Sequence, residues 1–145
     1  MYKGNNLLPE IDLGQGNEIG RGATSTVYRL PDGTVCKLFN PEFSEEEILR
    51  ESRMAQSAYA LGIRVPRPYG LVKAEEKTGI RSEFLEGETL ADVLKNDEEQ
   101  MERILPDYIR ELKRFHETRA DAGDFVCAKS LYLEKIENGE RDFRF

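Results

Sequence analysis

Gly20 and Gly22, in the run Ile19-Gly20-Arg21-Gly22-Ala23-Thr24-Ser25-Thr26-Val27-Tyr28, are followed closely by Val35-Cys36-Lys37. Glycines let backbone N–H groups approach phosphate oxygens with no Cβ in the way, and the hydroxyls of Thr24, Ser25 and Thr26 add donors at the loop tip. Lys37 waits on the next strand. The chemistry these residues suit is the gripping of a polyphosphate, and the ligand they point to is a nucleoside triphosphate.

Twelve glycines in 145 residues produce short spacings by chance, so the surrounding elements must choose among phosphate-binding designs. A Walker loop needs Gly-Lys-Ser/Thr and a helix starting there, and the chain contains no Gly-Lys pair. A Rossmann fingerprint also needs a helix after its last glycine, whereas Thr24 to Leu30 is β-branched and aromatic and runs into Pro31-Asp32-Gly33. Pro31 presets φ for a turn, Asp32 can bond its own backbone, and Gly33 tolerates positive φ. Thr34 to Phe39 is therefore expected to return antiparallel as a second strand. Strand, glycine loop, strand, turn and lysine strand is the order found in kinases.

On these residues the chain resembles the N-terminal lobe of the protein-kinase-like superfamily, and most of all its aminoglycoside phosphotransferase-type small-molecule kinases. The resemblance implies an α+β fold: a kinase-like N-lobe, an antiparallel sheet of about five strands plus one long helix, followed by helices of an incomplete C-lobe. It implies ATP and Mg²⁺ as cofactors, with Lys37 pairing the α and β phosphates and Val27 and Val35 roofing the adenine. Gly20, Gly22 and Ser25 fall in the loop, Ser25 replacing its third glycine in the manner of small-molecule kinases.

The partner implied for Lys37 is a glutamate on the next helix. Ser44, with Glu47 three residues on, forms a capping box at its start, and Gly62 marks its stop. Ile48, Met54, Ala55, Ala58, Tyr59 and Leu61 fall on one face, and Glu51 projects near the middle of that stripe. Isolated burial of a carboxylate is costly, so an ion pair with Lys37 accounts for Glu51 better than solvent exposure does. Glu47 is the fallback one turn earlier, and the alternative is that both are surface glutamates on an acidic helix.

Ile63-Arg64-Val65-Pro66-Arg67-Pro68 reads as an extended connector. Tyr69 to Lys73 and Ile80 to Phe84 read as a hairpin whose polar turn is Glu75 to Gly79. The segment Ser82-Glu83-Phe84-Leu85-Glu86-Gly87-Glu88-Thr89-Leu90 resembles the kinase hinge. By that resemblance Ser82 takes the gatekeeper position, while the Glu83 carbonyl and the Leu85 amide bond the adenine edge; otherwise this is an ordinary strand-to-helix link.

Beyond it, Thr89 can cap a short helix holding Leu90 and Leu94, and Met101, Ile104, Leu105, Tyr108, Ile109, Leu112 and Phe115 recur at helical steps. Pro106 should kink that helix or mark a first turn. His116, the only histidine, continues the stripe and reads as structural. The chemistry of the superfamily needs a catalytic Asp, a metal-binding Asn and a further metal-binding Asp. Gly123-Asp124-Phe125 is the one approach to H-G-D-x-x-x-x-N, making Asp124 the weak catalytic candidate, but Ala122 and Lys129 hold the histidine and asparagine positions. The alternative has Asp124 capping a last helix over about Ala128 to Asn138, with Gly139 as its stop. No metal ligands are identified, and the chain is expected to end before the catalytic loop and to be inactive alone. The stripe from Met101 to Phe115 is then expected to meet a completing C-lobe chain or a second copy.

The domain organisation expected is 1–86 as nucleotide-binding lobe and 87–145 as the helical start of the second lobe. With 21 basic against 28 acidic side chains and net charge −7, nucleic acid is disfavoured as a partner. No run approaches membrane-spanning length and Met1 to Asn6 precedes no secretory apolar core, so no membrane is expected and the default location is cytoplasmic. Cys36 and Cys127 have neither metal-site nor disulfide spacing, which reads as reduced thiols. Two functions follow: the ATP-binding part of a small-molecule phosphotransferase, or a non-catalytic nucleotide- or partner-binding pseudokinase module.

Overall fold

The computed structural model describes residues 8–14, 16–96, 98–121, 123, 125 and 127–137. Packing divides them into two units, one holding a sheet with its helix and a later helical segment, the other spanning Leu85–Asp121.

The first unit is built on strands β1 (Asn17–Arg21), β2 (Ser25–Arg29), β3 (Thr34–Phe39), β4 (Pro68–Ala74) and β5 (Lys77–Glu83), antiparallel in the order β1-β2-β3-β5-β4. The turn between β2 and β3 forms as its residues predict. Asp32 Oδ1 accepts from the Thr34 N–H at 3.0 Å, and Gly33 sits at φ +79°. Hydrogen bonds from Thr34, side chain first, hold the Asp32 carboxyl below its usual range.

The register places side chains on two faces. Val27, Lys37, Ile80 and Leu71 stand in one cross-strand row, continuing Gly20 of β1. On this side Phe39 and Ile80 form a buried cluster with Ile48, joined by Phe43 and Leu71. On the other side Cys36, Leu38, Val72 and Ala74 pack with Leu13 and Leu30. Leu13 comes from a segment to which sequence reading gave no role. In that segment Ile11 N–H donates to Lys73 C=O at 2.8 Å, and Pro9 C=O accepts from Lys73 N–H at 2.9 Å. Part of the open edge of β4 is thereby covered, which removes a template for unwanted strand pairing.

Helix α1 (Glu45–Ala60) begins at the expected capping box: Ser44 Oγ accepts from Glu47 N–H, and Glu47 Oε2 accepts from Ser44 N–H at 3.0 Å. It ends in a Schellman motif, with Gly62 N–H donating to Tyr59 C=O and Ile63 N–H to Ala58 C=O, Gly62 at φ +74°. Its buried line differs from the expected stripe. Ile48 and Ser52 are buried, Ala55 is half-buried, and Tyr59 and Leu61 are exposed. Ser52 falls outside an apolar periodicity, yet its small side chain is buried on the helix face turned to the sheet.

The β4–β5 connection also corrects its expectation. The turn is Glu75-Glu76 alone, at φ 50° and 65°, and both strands continue to meet it. Gly79 lies inside β5, where a Cβ would come within 2.8 Å of Cys36 Sγ and 3.0 Å of Lys37 O. Its glycine serves close packing of strands rather than a turn.

Helix α4 (Ala128–Glu137) belongs with the first unit. It matches the expected last helix, while Asp124, its expected cap, and Gly139, its expected stop, lie outside the described residues. In the second unit, α2 (Leu90–Asn96) is capped by Thr89, whose Oγ1 accepts from Asp92 N–H at 3.2 Å, and Val93 is buried. Helix α3 (Glu98–Glu117) runs through Pro106 as one element, leaving Leu105, Tyr108, Ile109, Leu112 and Phe115 exposed. Among the described residues no helix is long and apolar enough to cross a membrane.

Candidate nucleotide site

Alternation along β3 puts Val35, Lys37 and Phe39 on the α1 side of the sheet, and pairing of Val27 with Lys37 puts Val27 beside them. Val27 and Val35 are half-buried, so an apolar shelf adjoins the lysine. Lys37 Nζ lies 2.6 Å from Glu51 Oε1 and 4.7 Å from the Phe39 ring centroid. The capping box starts α1 so that Glu51, two turns in, reaches the strand. The expected pairing forms, with Glu51 and not the fallback Glu47. Its setting is wetter than burial arguments supposed: the Lys37 and Glu51 side chains keep 35% and 46% of their exposure. The carboxylate sits beside the buried line of α1 and not within it.

Between β1 and β2 the chain reverses tightly. Gly22 N–H donates to Ser25 C=O at 2.9 Å, and a register shift between Glu18 and Gly20 sets Gly20 opposite Val27. A Cβ on Gly20 would meet nothing within 4 Å and one on Gly22 only Ser25 O at 3.9 Å. The space beside this backbone is open, as a phosphate cradle requires. Ser25 itself is buried at the start of β2.

Sequence reasoning missed Asn40. Its Nδ2 donates to Ala23 C=O at 2.9 Å and its N–H to Thr24 C=O at 3.0 Å, so the residue following β3 holds the loop tip. No local pattern announces a contact across seventeen positions. Arg29 was missed too; its guanidinium lies 4.1 Å from the centroid of Phe84, in the segment resembling a hinge.

At the end of β5, Glu83 N–H donates to Arg67 C=O at 2.9 Å and its Oε2 accepts from Arg67 N–H at 3.1 Å. Ser82 stands on the Lys37 side, in register with Val35. Leu85 opens the second unit and is exposed. Asp124 lies outside the described residues. Both cysteines are free thiols, Cys36 buried and Cys127 exposed. Among the described residues no group of three His, Cys, Asp or Glu is placed to hold a metal ion.

The sheet order, the glycine reversal and the lysine–glutamate pair occur together in the first unit. No curated protein matches the chain. The model of the phosphotransferase enzyme family matches residues 15–138, from just before β1 through α4. With most of its length matched in this way, the chain belongs to the phosphotransferase enzyme family.

Proposed function

We propose that this chain binds ATP through its sheet unit and serves as the nucleotide-holding part of a phosphotransferase that moves a phosphoryl group to the hydroxyl of a small molecule. The observation that carries the reading is the Lys37–Glu51 pair at 2.6 Å on the same side of the sheet as Val27 and Val35. Glu51 steers the ammonium, which is otherwise free to swing on four methylenes, toward the α and β phosphates. Gly20 and Gly22 admit the phosphate chain close to backbone. Val27 and Val35 receive the adenine face, and the Glu83 carbonyl at the end of β5 takes its polar edge. Such an edge bond contributes about 1 kcal/mol net, so it orients the base more than it anchors it.

We assign neither a general base nor a ligand to Mg²⁺ among these residues. A missing base is worth about 10²- to 10⁴-fold in rate. We therefore assign turnover to this chain only together with a segment bearing the catalytic Asp, Asn and Asp.

ATP should raise the melting temperature of the 145-residue chain, and Lys37→Ala should remove most of that rise. Turnover of a hydroxyl acceptor should arise on supplying the catalytic-loop segment. ATP binding that persists with no turnover even then favours the non-catalytic module, and no thermal response to ATP or ADP refutes both.

A further inference from the structure

Asn40 joins three elements that must keep register if the site is to work. Its side chain holds Ala23 C=O and its N–H holds Thr24 C=O, both at the glycine reversal. Its own C=O accepts from Phe43 N–H at 3.1 Å, in the turn that leads to Ser44 and α1. Lys37 lies three residues upstream on the same strand.

A trans peptide points its C=O and its N–H in opposite directions. Fixing Ala23 C=O on Asn40 therefore turns the Thr24 N–H away from Asn40, and fixing Thr24 C=O turns the Ser25 N–H likewise. Two carbonyl oxygens that would repel a phosphate are occupied, and two amides are left oriented by the planes they share. Gly22 cannot take over this task, because its N–H is already used by Ser25 C=O.

We infer that Asn40 is a positioning residue that presets the loop tip for the polyphosphate of the nucleotide and ties it to the strand carrying Lys37. This rests on the nucleotide reading above. A loop ordered in advance binds with less entropy lost on contact, so removing the tether should weaken phosphate binding without touching the base.

The test titrates ATP and adenosine into the full chain and into Asn40→Ala. One hydrogen bond's worth of ordering predicts about five- to tenfold weaker ATP binding for the variant, with adenosine binding unchanged. Asn40→Gln, which keeps the amide on a longer arm, should recover part of the loss. Tryptic cleavage after Arg21 supplies a readout free of nucleotide, and it should quicken in Asn40→Ala while cleavage elsewhere holds steady. Equal ATP affinity in wild type and Asn40→Ala overturns the inference, as does parallel loss of ATP and adenosine. A wild-type chain that binds no ATP brings the inference down with the reading it rests on, a result distinguishable from both.

Discussion

Replacing Gly79 by alanine tests the packing that seats Lys37. The added Cβ would lie 2.8 Å from Cys36 Sγ, 3.0 Å from Lys37 O and 3.3 Å from Leu38 Cδ1. None of these can yield cheaply. Cys36 is fully buried among Leu13, Leu30, Leu38, Val72 and Ala74, and the second contact is backbone of the paired strand. Relief requires β3 and β5 to part by several tenths of an ångström, and overpacking of this kind costs about 1–3 kcal/mol. Gly20→Ala is the matched control, since its Cβ meets nothing within 4 Å. Urea denaturation should show the loss for Gly79→Ala, with a fall in Tm of roughly 3–10 °C for a domain of this size, and little change for Gly20→Ala. In a Cys36→Ala background the nearest obstacle is gone, so Gly79→Ala should cost about 1 kcal/mol less there than in wild type. An identical penalty in both backgrounds would refute the assignment of the clash to Sγ. No penalty in either would refute the register of β3 on β5.

Glu51→Gln should cost less than about 1 kcal/mol of stability, because the pair is half exposed and such pairs are worth little. It should nevertheless weaken ATP binding severalfold by freeing the Lys37 ammonium; denaturation and titration of the same variant separate the two effects. Burial pushes the Cys36 thiol up to about 11 from an ordinary 9.0. The unfolded chain therefore loses this proton first, and stability contributed by the neutral thiol is lost as pH rises from about 9 to about 11, by about 2 kcal/mol at the upper end. Denaturation of wild type and Cys36→Ala across that range should reveal the difference in slope. The exposed side chains Ile109 and Phe115 of α3 should promote association, so sedimentation should give a smaller particle for Ile109→Glu/Phe115→Glu, and a wild-type monomer at high concentration would contradict this.

Features encoded within a few residues were readable in advance. Pro31-Asp32-Gly33 carries its own turn chemistry, and Ser44 with Glu47 closes a capping box over three residues. The Lys37–Glu51 pair spans fourteen positions, yet strand and helix periodicity bring it within reach. Other features depend on what the folded chain sets beside a residue. Glu75 and Glu76 adopt positive φ without the glycine or asparagine that usually signals such a turn. Gly79, taken for part of that turn, is needed because Cys36 lies against it. Ser52 is buried despite its hydroxyl, and Asn40 acts through carbonyls across the β2–β3 pair. Nothing in their local sequence distinguishes these residues from surface ones.

Calorimetric titration of ATP into the wild-type chain and into Lys37→Ala tests the central claim most directly. A charge-assisted bond to phosphate is worth about 1.5–3 kcal/mol, so the variant should bind at least about tenfold more weakly while melting close to wild type. Saturable binding of equal strength in both proteins, or none in the wild type, would contradict the assignment of this sheet unit as a nucleotide site.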